Sequence, residues 1–252
     1  MLKEDREQYE TFFKNFGNQL KYGIYTSYGM KKGDLQDLLL YTSSKEKKLV
    51  TLKEYVENMA EKQETIYYAC GETTDKIDLL PQVETVKEKG FEVLYLTDYM
   101  DEFVFNFMNV SNEAMDLDSE EEKEALKKAN EDNKELFLKM QEFLSDSVSS
   151  IQFTHRLKNH PVCLTSKGDI SVEMEKVMNA MPTDQKVKAN VVMEINENHE
   201  ISKKLEDLYK KNDFDSIEKY TKILYAQARL IEGLSLENPT EITNLICEEL
   251  SK

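Results

Sequence analysis

The feature that most constrains the fold is a pair of strand-like runs with a helix-like stretch between them. The runs are TIYYACG at 65–71 and FEVLYL at 91–96, both rich in aromatic and β-branched residues that favour strands. The stretch between them ends at Gly90. A β-α-β order predicts two parallel strands joined by a crossover, with further helices on the faces of the sheet. We therefore predict a small α/β/α unit over residues 1–110.

Three helices are predicted before the first of these strands. The aromatic side chains at 9, 12, 13 and 16 have helical spacing, and Gly17 follows at the position that a helix terminator prefers. A second helix is predicted over 34–40. Thr51 has Glu54 three residues later, which is the spacing of a capping box, so a third helix is predicted to begin there.

The second half of the chain has a different pattern and predicts an α+β domain over 111–252. An acidic stretch, SNEAMDLDSEEEKE, marks the predicted boundary and the start of a long helix over about 119–145. Strands are predicted at 150–154, 161–165 and 190–196. The domain is predicted to end in helices.

Between the last two of those strands lies ISVEMEKVMNAM, at 170–181. Its apolar residues fall at i, i+4, i+7, i+8 and i+11, which places them in one stripe along a helix. They are Ile170, Met174, Val177, Met178 and Met181. On spacing alone, such a stripe is more often part of a core than of a binding surface, and both interpretations remain open at this point.

The last two predicted helices each carry an apolar stripe. The first stripe contains Ile217, Tyr220, Leu224, Ala228 and Ile231, and the second contains Ile242, Leu245, Ile246 and Leu250. Pairing of these helices with a second copy of the chain would form a twofold four-helix bundle. Packing on their own domain is the equal alternative.

Charge and composition exclude several classes of partner. The formal net charge is −16, which opposes binding to nucleic acid or to an anionic membrane. The apolar runs are far shorter than a membrane span, and the charged start lacks the apolar centre of a signal peptide, so a cytoplasmic location is predicted. Cys70, Cys163 and Cys247 lie far apart and are predicted to be buried, reduced thiols.

No pattern typical of an enzyme is found. The glycines form neither of the phosphate-binding motifs GxxxxGK(S/T) and GxGxxG. His155, His160 and His199 lack the spacing of metal ligands. We therefore predict no catalytic residue and no metal. The alternative is a stand-alone α/β enzyme or nucleotide-handling protein with an unrecognised site. A small molecule that binds the chain and raises its melting temperature would support that alternative.

Several longer segments carry a family resemblance. In the first half of the chain these segments are NFGNQLKYGIYTSYG, LQDLLLYTSS, VTLKEYVENMAEKQETIYYACGET and KGFEVLYLTDYMDEF. In the second half they are VSSIQFTHRLKNHPVCLTS and YAQARLIEGLSLENPTEITNLICEEL. Together they resemble the heat-shock protein 90 chaperones. The resemblance is closest to the bacterial HtpG type and covers nearly all 252 residues in the correct order.

The resemblance implies a stress-response chaperone that forms a homodimer and binds unfolded or partly folded client proteins. It implies a small middle subdomain followed by a carboxy-terminal dimerisation domain, with the ATP-binding domain missing. We therefore expect no enzymatic activity and no cofactor in this chain, with ATP and magnesium bound only by the full-length protein. Co-chaperones remain open as further partners. A purely structural alternative makes the chain a dimerisation module with a buried methionine stripe.

The resemblance also implies client-binding residues. The methionine stripe matches a helix whose apolar face contacts clients, so the resemblance favours its exposure. In DEFVFNFM, the residues Glu102, Phe103 and Asn106 match a second client-contact arrangement of the family, with phenylalanine where tryptophan is familiar. Because residues 103, 105 and 107 cannot share one helix face, we expect at least one of these rings to face outward.

Overall fold

A computed structural model of the chain describes residues 2, 4–61, 63–108, 110, 118–168, 170–181 and 186–251. The chain forms two compact units. Unit 1 comprises Met1–Leu79, Val86–Glu113 and Glu173–Val187, and unit 2 comprises Leu80–Thr85, Ala114–Val172 and Lys188–Lys252. Residues 111–117 of the acidic stretch lie outside the described residues, and a single boundary between 110 and 111 stays a prediction.

The described helices and strands have the following bounds. The helices are α1 (Arg6–Thr26), α2 (Lys32–Leu35), α3 (Leu52–Glu57), α4 (Thr74–Asp78), α5 (Pro81–Glu88), α6 (Asp101–Phe107), α7 (Glu120–Asp132), α8 (Lys134–Leu144), α9 (Val172–Ala180), α10 (Glu200–Lys210), α11 (Phe214–Ile231) and α12 (Pro239–Leu250). The strands are β1 (Tyr41–Ser43), β2 (Leu49–Val50), β3 (Tyr67–Cys70), β4 (Val93–Leu96), β5 (Ser150–Thr154), β6 (Val162–Lys167) and β7 (Asn190–Asn196).

Unit 1 is built on a mixed sheet with the strand order β2-β1-β4-β3. β3 and β4 pair in parallel, with Tyr67 opposite Val93 and Cys70 opposite Leu96. This pairing confirms the parallel strands predicted from the β-α-β pattern. The antiparallel hairpin of β1 and β2, which the sequence did not predict, extends the sheet beyond β4.

Two local signals before β3 gave different outcomes. The capping box is confirmed, because the Thr51 hydroxyl accepts from the Glu54 amide and the Glu54 carboxylate accepts from the Thr51 amide. The prediction that the first helix ends at Gly17 is wrong, since α1 continues to Thr26. An ideal Cβ at Gly17 would lie 2.9 Å from ring atoms of Phe13, so this glycine makes room for a ring instead of ending the helix.

The predicted helix over 34–40 is also shorter than expected. α2 ends at Leu35 and a 3₁₀ turn follows over Gln36–Leu38. Leu39 and Leu40 are extended or irregular and almost fully buried, and they lead directly into β1. The apolar run of leucines therefore fills the core of unit 1 without forming a longer helix.

Unit 2 is built on a three-stranded sheet with the order β5-β7-β6, in which β5 and β7 are parallel and β6 and β7 antiparallel. All three strands match the predicted runs. Its core contains Phe137, Phe153, Leu164, Ile195 and Leu205, all buried. Within the described ranges, no helix is long and apolar enough to cross a bilayer.

Two features of unit 2 depart from prediction. The long helix predicted over 119–145 is divided at Asn133 into α7 and α8. The helix α10 was not predicted, although Ser202 and Leu205 on it are buried. Among the cysteines, Cys163 is buried and Cys70 half-buried, but Cys247 is exposed on α12, so its predicted burial is wrong.

Candidate functional site

Unit 1 contains a pocket of about 210 Å³ beside the carboxyl ends of its two parallel strands. Cys70 ends β3 and Leu96 ends β4, and both line the pocket. The remaining walls come from the residues that follow these strands, from the start of α6 and from α9. The crevice at the carboxyl ends of parallel strands is a common position for ligands in α/β sheets.

The pocket brings the two predicted client-binding segments together. The predicted residues that line it are Glu102, Phe103, Met174 and Val177. Asn106 adds a link between the segments, since its amide nitrogen lies 3.4 Å from the sulfur of Met174. Residues about 70 positions apart in sequence therefore form one site, although this placement does not test whether they bind a client.

The methionine stripe is less exposed than the resemblance implied. Met174 is only 7% exposed, while Val177, Met178 and Met181 are half-buried. The expected exposure is therefore wrong for Met174, because its side chain packs against α6 through Asn106. Ile170 lies in unit 2 and is half-buried.

The aromatic segment on α6 is also more buried than expected. Phe103 is 8% exposed and its ring meets the ring of Tyr25 edge-to-face, with centroids 5.8 Å apart. Phe105, on the opposite side of the short helix, is fully buried against Tyr41. Only Phe107 is half-buried, so of the three rings it alone retains appreciable exposure. The rings of Phe103 and Phe105, on two sides of α6, are therefore both buried by neighbouring residues. The spacing of the rings along the helix did not predict this burial.

Buried charge lies next to the pocket. The ammonium group of Lys21 is 2% exposed and pairs with Asp98 and with Asp101, whose Oδ1 is 2.6 Å away. Burial raises the pKa of Asp101, against the opposing effect of the Lys21 charge. The pKa of the Cys70 thiol is raised well above its ordinary value by burial and then by the nearby carboxylates, with Glu102 first among them. Carboxylates and the buried ammonium group of Lys21 therefore lie together beside this pocket.

The residues predicted for dimerisation fall into two groups in unit 2. Ile217, Leu224 and Ala228 are buried in the core of their own unit, and Tyr220 and Ile231 are half-buried. The α12 residues are different: Ile242 and Leu245 are half-buried, Ile246 is 37% exposed and Leu250 is 83% exposed. The stripe of α11 thus packs on its own domain, while α12 leaves apolar surface uncovered. The four-helix bundle itself is not confirmed.

Ion pairs and hydrogen bonds between side chains hold α12 beside α11. Lys219 lies 2.7 Å from Glu248, and Lys222 lies 2.9 Å from Glu241. Tyr220 donates to Glu249 over 2.9 Å. Because these contacts are polar and largely at the surface, they contribute little to stability. They orient α12 but do not cover its apolar residues.

Sequence reasoning missed the pocket residues outside α6 and α9. They include Cys70, Leu96, Asp98 and Tyr99, and on α9 itself Glu173 was also missed. A usable signal was present, because the carboxyl ends of two predicted parallel strands must lie at one edge of the sheet. Applied to the two predicted strands, that rule places Cys70 and Leu96 side by side.

Comparison with known proteins identifies relatives of the whole chain. A family model described as Hsp90 protein matches residues 1–252. The chain is 51% identical over 257 residues to the chaperone protein HtpG of Clostridium perfringens (strain 13), covering 98% of this chain and 41% of that protein. It is 50% identical to the HtpG of Alkaliphilus oremlandii and 47% identical to that of Bacillus subtilis, with the same coverage. The chain therefore spans about two-fifths of the length of these relatives.

These comparisons correct two negative predictions. The expectations of no enzymatic activity and of no cofactor, which assumed that part of the family's protein is missing, are wrong, because the family model described as Hsp90 protein matches all 252 residues. The matched relatives carry the name of a chaperone, so a stand-alone enzyme of another class is not favoured.

Proposed function

This chain belongs to the heat-shock protein 90 family, and we propose that it acts in a chaperone that binds unfolded or partly folded proteins as a homodimer. The observation that carries the proposal is the pocket of unit 1, where Phe103 and Val177 from two distant segments line one partly apolar cavity. The proposed location is the cytoplasm, as predicted from the short apolar runs of the chain.

The geometry suits weak binding to many sequences. The pocket volume of about 210 Å³ is below the roughly 300–1,000 Å³ of sites for drug-sized ligands, so it fits a side chain better than a cofactor. Half-buried Val177 and Met178 give α9 an apolar surface that is partly accessible. Methionine is unbranched and polarisable, so it can pack against side chains of different shapes.

The dimer is the second part of the proposal. In α12, Ile246 and Leu250 are exposed although they lie on an apolar stripe, and a helix of this length is marginal without apolar packing. Docking against α12 of a second copy would cover these residues. A dimer would then carry two copies of the pocket, and two weak contacts with one client would act at high effective concentration.

The test is a binding measurement with a labelled polypeptide that cannot fold, such as a reduced and carboxymethylated protein. Met178→Glu places a charge on the partly exposed side of α9, and we expect it to weaken binding by about tenfold, since burying a charge against an apolar client is unfavourable. Fluorescence anisotropy gives the dissociation constant, and circular dichroism shows whether the variant still unfolds cooperatively.

Met30→Glu is the matched control. It makes the same chemical change in unit 1 at a methionine that is 84% exposed and lies outside α9, the helix whose Met174 and Val177 line the pocket. Equal effects of both substitutions, or unchanged binding by Met178→Glu, would contradict the proposed site.

A further inference from the structure

The pocket of unit 1 is acidic as well as apolar. Its carboxylates come from four lining residues: Glu72, Asp98, Glu102 and Glu173. None of the described residues that line it is lysine, arginine or histidine. The apolar part of the lining is supplied mainly by Leu96, Phe103, Met174 and Val177. Apolar walls with acidic groups among them distinguish this pocket from a purely apolar groove.

Lysines near the pocket offset only part of this charge. Lys21 is 2% exposed and is shared between Asp98 and Asp101. Glu72 pairs with Lys76 and Glu173 pairs with Lys176, both within one helical turn. The Glu72–Lys76 pair is exposed and loose, whereas Glu173 in the second pair is 28% exposed. Each carboxylate has a second oxygen that can accept a hydrogen bond from another cation.

Glu102 has a different environment from the exposed carboxylates. It is only 6% exposed. A buried carboxylate in a site of low polarity exerts a strong electrostatic effect on groups that enter it. A positive group that enters the pocket would meet acidic side chains and no basic side chain among the described lining residues.

We propose that this pocket selects client segments in which lysine or arginine lies beside a large apolar side chain. The apolar residue enters between Phe103 and Val177, and the neighbouring cation meets the carboxylates of Glu72 and Glu173. Lysine and arginine suit such a site because their aliphatic stems pack on apolar surface while the charged ends reach the carboxylates. The inference rests on the proposed function and adds the chemical class of segment that is bound.

The test uses three labelled peptides with the same leucine-rich core, flanked by lysine, by serine or by glutamate. Anisotropy titration with the 252-residue chain is expected to give the order lysine, serine, glutamate, with roughly three- to tenfold between the first and the last. The difference is expected to shrink in roughly 0.5 M salt, because exposed charges are screened there. Equal affinity for the lysine and glutamate peptides would overturn the inference.

Glu72→Gln with Glu173→Gln is expected to remove most of the preference for lysine. The control is Glu121→Gln with Glu124→Gln, which removes the same charge from exposed positions on α7 in unit 2. If the control loses the preference equally, bulk charge and not the pocket is responsible, which would overturn the inference. Glu72→Gln alone, at a side chain that is 72% exposed, keeps the test valid should the double variant unfold.

The peptides also separate the inference from the proposed function. One outcome is that Met178→Glu weakens the binding of all three peptides equally, while the wild-type chain binds the three with equal affinity. The pocket would then bind clients without selecting for charge, and the inference alone would fail. If no peptide binds, or if Met178→Glu changes none of them, the proposed client site itself is wrong and the inference fails with it.

Discussion

Gly71 faces the side chain of Ile77 so closely that an ideal Cβ at position 71 would lie 2.8 Å from Ile77 Cγ1. Ile77 is fully buried, and the atom approached is Cγ1, which is not the far end of a flexible side chain. Gly71→Ala is therefore expected to lower the free energy of unfolding by about 1–3 kcal/mol, the usual cost of overpacking. Urea unfolding followed by circular dichroism measures this change.

Gly33→Ala is the matched control for that substitution. Gly33 lies in α2, and no atom comes within 4 Å of an added Cβ. Because alanine favours a helix over glycine, this variant is expected to gain up to about 1 kcal/mol. Equal stability of the Gly71→Ala and Gly33→Ala proteins would contradict this prediction. It would mean that Gly71 packs less tightly against Ile77 of α4 than the 2.8 Å distance indicates.

The packing of Met174 allows a second prediction. Since its side chain is 7% exposed, Met174→Ala is expected to reduce the stability of α9 by about 2–4 kcal/mol. The substitution Met178→Ala, at a half-buried side chain, is expected to reduce the stability of α9 by less than about 1 kcal/mol. Amide hydrogen exchange along α9 distinguishes the two, and similar protection in both variants would mean that Met174 does not anchor the helix.

The third prediction concerns the pH dependence of Asp78. Burial would raise the pKa of this carboxyl, but hydrogen bonds from Lys87, Tyr95 and Lys47 outweigh it and lower the pKa from 3.8 to about 2. A lowered pKa in the folded state stabilises the protein above the unfolded value, and this contribution is lost as the pH falls from 3.8 through about 2.

Asp78→Asn is therefore expected to cost about 1 kcal/mol at roughly pH 7 and pH 5, after allowance for solvent screening of this partly exposed group. The difference from wild type should shrink near pH ~3. Urea unfolding at the three pH values measures it, with Asp75→Asn, an exposed position in the same helix, as the control. A difference that stays constant down to the lowest pH would contradict the assigned ion pairs.

The fourth prediction tests the dimer through α12. Ile246→Glu with Leu250→Glu is expected to raise the dissociation constant of the dimer by about 100-fold or more, because each buried apolar side chain contributes about 1.5–3 kcal/mol. Light scattering after size exclusion, over a dilution series, should give a mass near twice 29.4 kDa for wild type and near 29.4 kDa for the variant.

Leu79→Glu is the control for that experiment, because Leu79 is 77% exposed in unit 1 and is comparable to Leu250 at 83%. It is expected to remain dimeric. A wild-type protein that is monomeric at every concentration would remove the dimer from the proposed function, while the family membership would stand.

Local signals in the sequence predicted the elements whose structure is decided locally. The capping box at Thr51 and the aromatic, β-branched runs of β3 and β4 act over a few residues, and they were predicted correctly. The hairpin of β1 and β2 was missed because its strands are only three and two residues long and β1 is partly polar. A strand that short is stabilised by its pairing with β4, which no local pattern reports.

The candidate site shows the same division. The periodic stripe on α9 was recognised as apolar, but its burial against Asn106 depends on a contact across 68 positions. Gly17 shows a similar effect inside α1. The ring of Phe13, one turn earlier, occupies the space beside this glycine, and the helix continues past it. Tertiary packing determined the outcome at α9, and side-chain packing within the helix determined it at Gly17.

The methionines of α9 have a consequence for the protein under oxidative stress. Oxidation converts a thioether into a polar sulfoxide, and accessible side chains react first. Half-buried Met178 on α9, and half-buried Met181 directly after it, would be modified before Met174, which is 7% exposed. A peroxide-treated protein would keep its fold while the accessible side of α9 became polar, and methionine sulfoxide reductases would restore it. Under the proposed function, binding of unfolded chains by α9 would then depend on the oxidation state of these methionines.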